Sequence, residues 1–136
     1  PAGLSLGFRI LGRETRVSGI APILWDEDRK VDIARIANAT AKLLECDLEL
    51  SPSDILSSDE YIGERYGVLT QEGRDALKLV AETEGIFLDP VYTSKAMAGM
   101  IDQIRKGIIT KNETVVFIHT GGLPALFAYA EDLMLS

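Results

Sequence analysis

Two short stretches of this chain carry side chains that could do chemistry. The first is Asp89-Pro90-Val91-Tyr92-Thr93-Ser94-Lys95, a phenol among hydroxyls, a carboxylate and an amine. Tyr92 there could be a packing residue with a satisfied hydroxyl or, if its pKa is lowered, a general acid/base. Lys95, one residue into the helix that should follow, could pair with Asp89 and is not read as a Schiff-base lysine. The second stretch is Ile118-His119-Thr120-Gly121-Gly122. At the end of a buried strand the amides of a glycine pair can approach a ligand closely, and Thr120 would offer a hydroxyl to a polar ring atom. The plainer alternative is a tight turn with a hydrogen-bonded core histidine. Tyr66, in Arg65-Tyr66-Gly67, could cover a flat ligand by stacking or could be a surface turn residue. With His119 as the lone histidine there is no Ser-His-Asp order and no zinc-spaced set, and no phosphate-binding Walker loop is present.

The elements that must hold these residues follow from periodicity. Residues 2–11 read as a helix with Leu4, Phe8 and Leu11 near one face, Gly3 and Gly7 allowing close approach, and Gly12 as the stop. A short strand is expected over 16–21. The longest helix should run over 26–45, with Ile33, Ile36, Ala37, Thr40, Leu43 and Leu44 inward and Asp26, Glu27 and Asp28 at its positive end. Residues 50–70 look irregular and turn-rich, with a minor strand at 54–57; a loop of about twenty residues is usually functional or poorly ordered. Thr70 should cap a helix reaching about residue 84, with Ala76, Leu77, Val80 and Ala81 inward. An apolar strand at 86–88 then leads through the tyrosine turn into a helix whose inner face is Ala96, Met97, Met100, Ile101 and Ile104. A strand at 115–118 and a last helix from Leu123, with Pro124 in its first turn, complete the order. Strands alternating with helices predict an α/β protein, three-layered, with a mainly parallel sheet flanked by helices. Three confident strands are few for so many helix faces, and further strands are expected upstream of Pro1.

Bulk properties narrow the function. A chain of 136 residues, 46% hydrophobic and 26% charged, fits one globular domain. Its net charge of −7 and lack of a basic run argue against a nucleic-acid partner. No apolar run approaches the roughly 20 residues that span a bilayer, so no membrane association is expected. No signal peptide is visible, and the single cysteine, Cys46, fits a reducing cytoplasm as a buried structural thiol.

At these residues the sequence resembles a known family. DPVYTSKAMAGMID, a basic-rich segment and then VVFIHTGGLPALFAY are similar to the C-terminal part of D-cysteine desulfhydrase and 1-aminocyclopropane-1-carboxylate deaminase. These are pyridoxal-phosphate enzymes of the tryptophan-synthase-β-like fold. ERYGVLTQEGRDALKLVAETEG resembles the segment that precedes them, and PAGLSLGFRILG resembles the helix after the family's Gly-rich phosphate loop. The likeness covers essentially the whole chain, in order. It implies that residues 1–136 are the C-terminal part of the large cofactor-binding domain. The N-terminal region with the Schiff-base lysine is then expected to lie outside this chain.

The resemblance also implies roles. Tyr92 would be the acid/base residue beside the substrate, with Tyr66 near the cofactor ring. Thr120 would face the pyridine nitrogen, Gly121, Gly122 and Thr93 would line the cofactor, and Ala2 and Gly3 would adjoin the phosphate loop. Cyclopropane-opening members typically have Glu after the motif tyrosine and Leu in the HxGG turn, whereas Thr93 and Thr120 stand here. A neutral hydroxyl at the ring nitrogen leaves a weaker electron sink, sufficient for losing a good leaving group such as sulfide. That tilts the expectation to β-elimination from D-cysteine, giving pyruvate, ammonia and sulfide. The alternatives are deamination of 1-aminocyclopropane-1-carboxylate and a sulfo-lyase reaction on cysteate. Another class of alternative is an inactive fragment or subunit needing a complementing chain. Ser94 departs from the family's usual glycine. The assembled enzyme is expected to be a homodimer acting on a small amino acid.

Overall fold

Capping chemistry and small residues at helix contacts decide most of the architecture. The computed structural model describes residues 1–25 and 28–134. They form two compact units: Pro1–Gly19 with Trp25–Ser58, and Ile20–Leu24 with the chain from Asp59 onward.

The first unit pairs two helices, α1 (Ala2–Ile10) and α2 (Arg29–Leu43). Asp28 caps α2, its carboxylate accepting from Lys30 N at 2.9 Å. Asp26 and Glu27, expected to share that task, lie outside the described residues. The buried stripe of α2 is Ile33, Ala34, Ala37 and Ala41, whose small side chains form one core with Ala2 and Leu6 of α1 and with Leu50 and Ile55. The expected stripes were drawn too wide. Leu4 and Leu11 of the first helical segment, and Ile36, Leu43 and Leu44 of the second, are exposed. A hydrophobic index ranks Leu above Ala, but close approach of two helices selects alanine at the seam. Gly3 and Gly7 are not needed for such an approach either, because a Cβ at either would meet nothing within 4 Å. Cys46 is a free, partly buried thiol against this core.

Asn38 bonds the backbone of Leu50 in both directions, at 2.9 and 2.8 Å, which folds the chain back along α2. A capping box at Ser51 and Asp54 then makes a single 3-10 turn, Pro52–Asp54. The minor strand comes after it as β2 (Leu56–Ser58), two residues later than expected, and pairs with β1 (Ser18–Ile20).

The second unit is built on α3 (Gln71–Glu84) and α4 (Thr93–Arg105). Thr70 caps α3 by accepting from Gly73 N at 3.0 Å, and Gly85 ends it in the left-handed conformation at φ 66°. Ala76 and Val80 meet Leu88, Met97 and Ala98 in a second core, with Leu77, Met100, Ile101 and Phe117 against its edge. Ile104, expected inside, is exposed. Two short helices, α5 (Ala125–Ala128) and α6 (Ala130–Met134), replace the single last helix expected from Leu123.

Residues 86–88 and 115–118 do not form the expected strands, since the only ladder among the described residues is β1–β2. Apolar sequence marks a segment for burial, but a strand exists only when a neighbour accepts its backbone bonds. Ile86, Phe87, Val115, Val116 and Ile118 remain exposed, and only Leu88 is fully buried. No helix among the described residues is long and apolar enough to cross a membrane. Nor does any group of three or more His, Cys, Asp or Glu among them have a metal-binding arrangement.

Candidate active site

Both chemically rich turns belong to the second unit, and they meet at Asp89. The start of α4 has no cap of its own, because Tyr92 stands at the N-cap position without a side-chain bond to the helix backbone. Asp89 does that work from three residues upstream. Its Oδ2 accepts from the N–H groups of Val91 at 2.8 Å and Tyr92 at 2.9 Å. Its Oδ1 accepts from the Thr93 N–H and the Thr93 hydroxyl, both at 2.7 Å. The carboxylate is fully buried, and burial alone would push its pKa up; the bonds from Thr93, Tyr92 and Val91 outweigh burial and hold it below the usual carboxylate value. Pro90 supports the turn by fixing φ after Asp89.

The second turn closes against this cage. A Cβ at Gly122 would come within 2.7 Å of Asp89 Cγ, and Gly121 and Gly122 adopt φ values of 91° and 94°. Both conformations favour glycine, and at Gly122 the clearance requires it. His119 ties the turn down from the other side. Its Nδ1 accepts from Gly121 N–H at 3.1 Å, so its Nε2 carries the proton and donates to Phe87 O at 2.9 Å. The histidine is therefore a brace for the turn, and it is exposed rather than in the core. Because Gly121 N–H is used in this way, its amide is committed inside the protein. Thr120, in contrast, is exposed, and its hydroxyl has no partner among the described residues.

Tyr92 and Tyr66 come together at this edge. Their hydroxyls share a short hydrogen bond, and their rings lie 6.0 Å apart, centre to centre, tilted by 58°. The bond to Tyr66 is the chief reason that Tyr92 holds its proton more tightly than an ordinary tyrosine, with burial and nearby charges adding to it. The lowered pKa on which a general-base role was conditional is not found. Tyr92 stays protonated through the neutral range, which suits a proton donor.

Two sequence expectations change at this site. Lys95 does not pair with Asp89; its fully buried amine donates to Ile62 O at 2.6 Å, and burial lowers its pKa. Thr93 is buried with its hydroxyl spent on Asp89, so it braces the turn. Ala2 and Gly3 are in the first unit, Ala2 buried in its core and Gly3 exposed. Sequence reasoning missed the work of Asp89, although the Asp-Pro pair followed by Thr at i+4 is a recognisable side-chain-capped turn. It also missed Tyr61, Asp102 and Tyr129, for which no local pattern exists, because each bonds a residue more than 40 positions away.

Comparison with known proteins identifies the family. Residues 1–121 match the family model described as pyridoxal-phosphate dependent enzyme. A 1-aminocyclopropane-1-carboxylate deaminase of Rhizobium rhizogenes is 40% identical over 129 residues, 95% of this chain and 38% of the relative. One of Methylobacterium nodulans is 41% identical over 128 residues, 94% of this chain and again 38% of the relative. A solved structure described as an ACC deaminase homologue superposes with a TM-score of 0.86 at 38% identity, covering 98% of this chain and 39% of that one. The chain thus spans about two-fifths of the length of the relatives it matches. The α/β fold expected from the resemblance is that of these proteins, although only one of its ladders is formed among the described residues.

The cofactor of the family is pyridoxal phosphate, and the residues present fit it. An exposed, partner-free Thr120 hydroxyl is available for a ring nitrogen, on a turn whose Gly122 leaves no room for a side chain, and the same unit carries a hydrogen-bonded pair of tyrosine hydroxyls. Matched along nearly nine-tenths of its residues by the family model, and carrying a site of this composition, the chain belongs to the pyridoxal-phosphate dependent enzymes.

Proposed function

We propose that the whole protein deaminates a small amino acid with pyridoxal phosphate, and that 1-aminocyclopropane-1-carboxylate is the substrate. The observation that carries this reading is the Tyr66–Tyr92 hydroxyl pair, built on the same Asp89 cage as the Thr120 turn. When bound, the cofactor supplies an electron sink for charge developing on the substrate carbon. Thr120 would meet the ring nitrogen. Tyr92, protonated at neutral pH, would deliver a proton to the carbon left negative when a bond to it breaks. Tyr66 would keep its hydrogen bond on the oxygen that gave up that proton. Gly121 and Gly122 would line the ring without contributing a side chain. The names of the relatives support the cyclopropane substrate.

Elimination of sulfide from D-cysteine is the second reading, and it keeps one of its two sequence supports. Thr120 is free to act as a neutral ring-nitrogen partner. Thr93 carries no weight for either substrate, since its hydroxyl is engaged by Asp89.

The test is to assay the purified whole protein with both amino acids. Ammonia and a four-carbon 2-oxo acid from 1-aminocyclopropane-1-carboxylate, at the higher kcat/KM, is the expected result. Faster release of sulfide and pyruvate from D-cysteine would replace the first reading by the second. Tyr92→Phe should lower kcat by roughly 100-fold or more in either case. A homodimer is the assembly proposed for the active enzyme, checked by its mass in solution.

A further inference from the structure

The segment carrying Tyr66 is irregular, yet three consecutive residues just before it are fastened to one face of α4. Lys95, Gly99, Asp102 and Lys106 lie on that face at spacings of four, three and four. Lys95 Nζ donates to Ile62 O at 2.6 Å, and the Tyr61 hydroxyl donates to Asp102 Oδ2 at 2.6 Å. Lys106 Nζ reaches Glu60 at 3.8 Å and Asp102 at 2.6 Å. Between these anchors the loop runs so close to the helix that a Cβ at Gly99 would meet Tyr61 Cδ2 at 3.0 Å and Ile20 Cδ1 at 2.9 Å. Beyond Tyr66 the Tyr129 hydroxyl holds Gly67 O, so the tyrosine is fixed from both sides.

We propose that Tyr61, Lys95 and Asp102 are positioning residues, which strap the loop onto α4 so that the Tyr66 hydroxyl is delivered to that of Tyr92. Gly99 provides the clearance that lets the strap lie flat. Two of the anchors are hard to replace. The Lys95 amine is buried with a backbone carbonyl as its partner, and the Tyr61–Asp102 bond joins residues 41 apart in sequence. Among the described residues no hydrogen bond or ion pair joins the strap to the Thr120 turn, so its proposed action is through Tyr66. Its consequence for catalysis rests on the role proposed above for the tyrosine pair; the positioning itself does not.

The experiment follows the ring carbons of 13C-labelled tyrosines by NMR as pH rises, in the whole protein, with Tyr→Phe variants for assignment. Tyr66, Asp89 and Tyr129 are the titratable groups acting on Tyr92. In the unaltered protein Tyr92 should titrate above the usual value of about 10, and Tyr66→Phe should bring it down. Tyr61→Phe and Asp102→Ala should reproduce that fall without touching either tyrosine of the pair. Asp102→Asn, which keeps an acceptor for Tyr61, should restore the high value. Kinetically, Tyr61→Phe should lower kcat by up to about 100-fold with KM unchanged. If Tyr92 titrates identically in Tyr61→Phe, Asp102→Ala and the unaltered protein, the strap does not position the pair. If its titration moves as expected while Tyr92→Phe retains full activity, the strap stands and the proposed role of Tyr92 falls.

Discussion

At the scale of single residues, Asp89 is the group on which the site depends most. Its two oxygens each accept two hydrogen bonds, and none can be supplied by water at a fully buried position. Asp89→Asn keeps one acceptor oxygen and sets an NH2 against the two donors on the other side. A loss of about 2–4 kcal/mol is expected, close to that of Asp89→Ala despite the smaller change in shape. Urea unfolding of the two variants checks this, and an Asn variant as stable as the parent would remove the cage argument. Ser94 is the opposite case. Its Oγ is buried with no partner, beside Gly73 of the neighbouring helix. Ser94→Ala should leave stability unchanged or raise it by about 1 kcal/mol. A clear drop in the same unfolding measurement would mean that the hydroxyl has an acceptor in solution.

At the scale of elements, α2 ends badly and can be improved. Glu45, just past its C-terminus, has φ 52°, the left-handed conformation that glycine adopts without cost. Glu45→Gly should stabilise the protein by about 0.5–1 kcal/mol, visible as a higher Tm, whereas Glu45→Val should lower it. The helices themselves were legible in the sequence because their signals are local. Thr70 as a cap, an end near residue 84 and Ala76 and Val80 as an inner face all occupy their expected places. The strands at 86–88 and 115–118 were not, because a ladder depends on a partner that the segment does not contain. The site was half legible. Tyr92, Tyr66 and the Thr120 turn drew notice by type and spacing, and the structure joins Tyr66 to Tyr92 and sets Tyr92 and the glycine turn against one carboxylate. What stayed hidden was the bracing from Lys95, Tyr61 and Tyr129, whose partners are set by the tertiary fold.

At the scale of the whole molecule, acid should be the effective denaturant. Asp102 is held low by Lys106 first and by Tyr61 second; Asp89 is held low by its cage against the opposing effect of burial. A carboxylate with a folded pKa below its unfolded value of about 3.9 binds fewer protons folded than unfolded in the interval between them. Stability from both groups is therefore fully present above about pH 4 and lost as pH falls through the folded values. Circular dichroism against pH should show the acid midpoint moving upward in Asp102→Asn, and the stability lost should be largest near neutrality, where the carboxylate is charged in the unaltered protein. A midpoint unmoved by that substitution would place the acid sensitivity elsewhere. The net charge of −7 at pH 7 passes through zero near pH 4.7, before that range is reached, and turns positive within it, so association should be strongest before acid unfolding begins.

The contact between Gly122 and Asp89 has a consequence for how such a site can change over generations. One carboxylate is at once the foundation of the tyrosine helix and the floor under the glycine turn. Neither position can drift alone, since any side chain at 122 displaces the carboxylate and any larger group at 89 displaces the turn. Thr120, two positions before Gly122, has an exposed side chain with no obligation to the fold. Among related sequences, variation that follows substrate preference should accumulate at Thr120, while Asp89 and Gly122 persist as an unbroken pair.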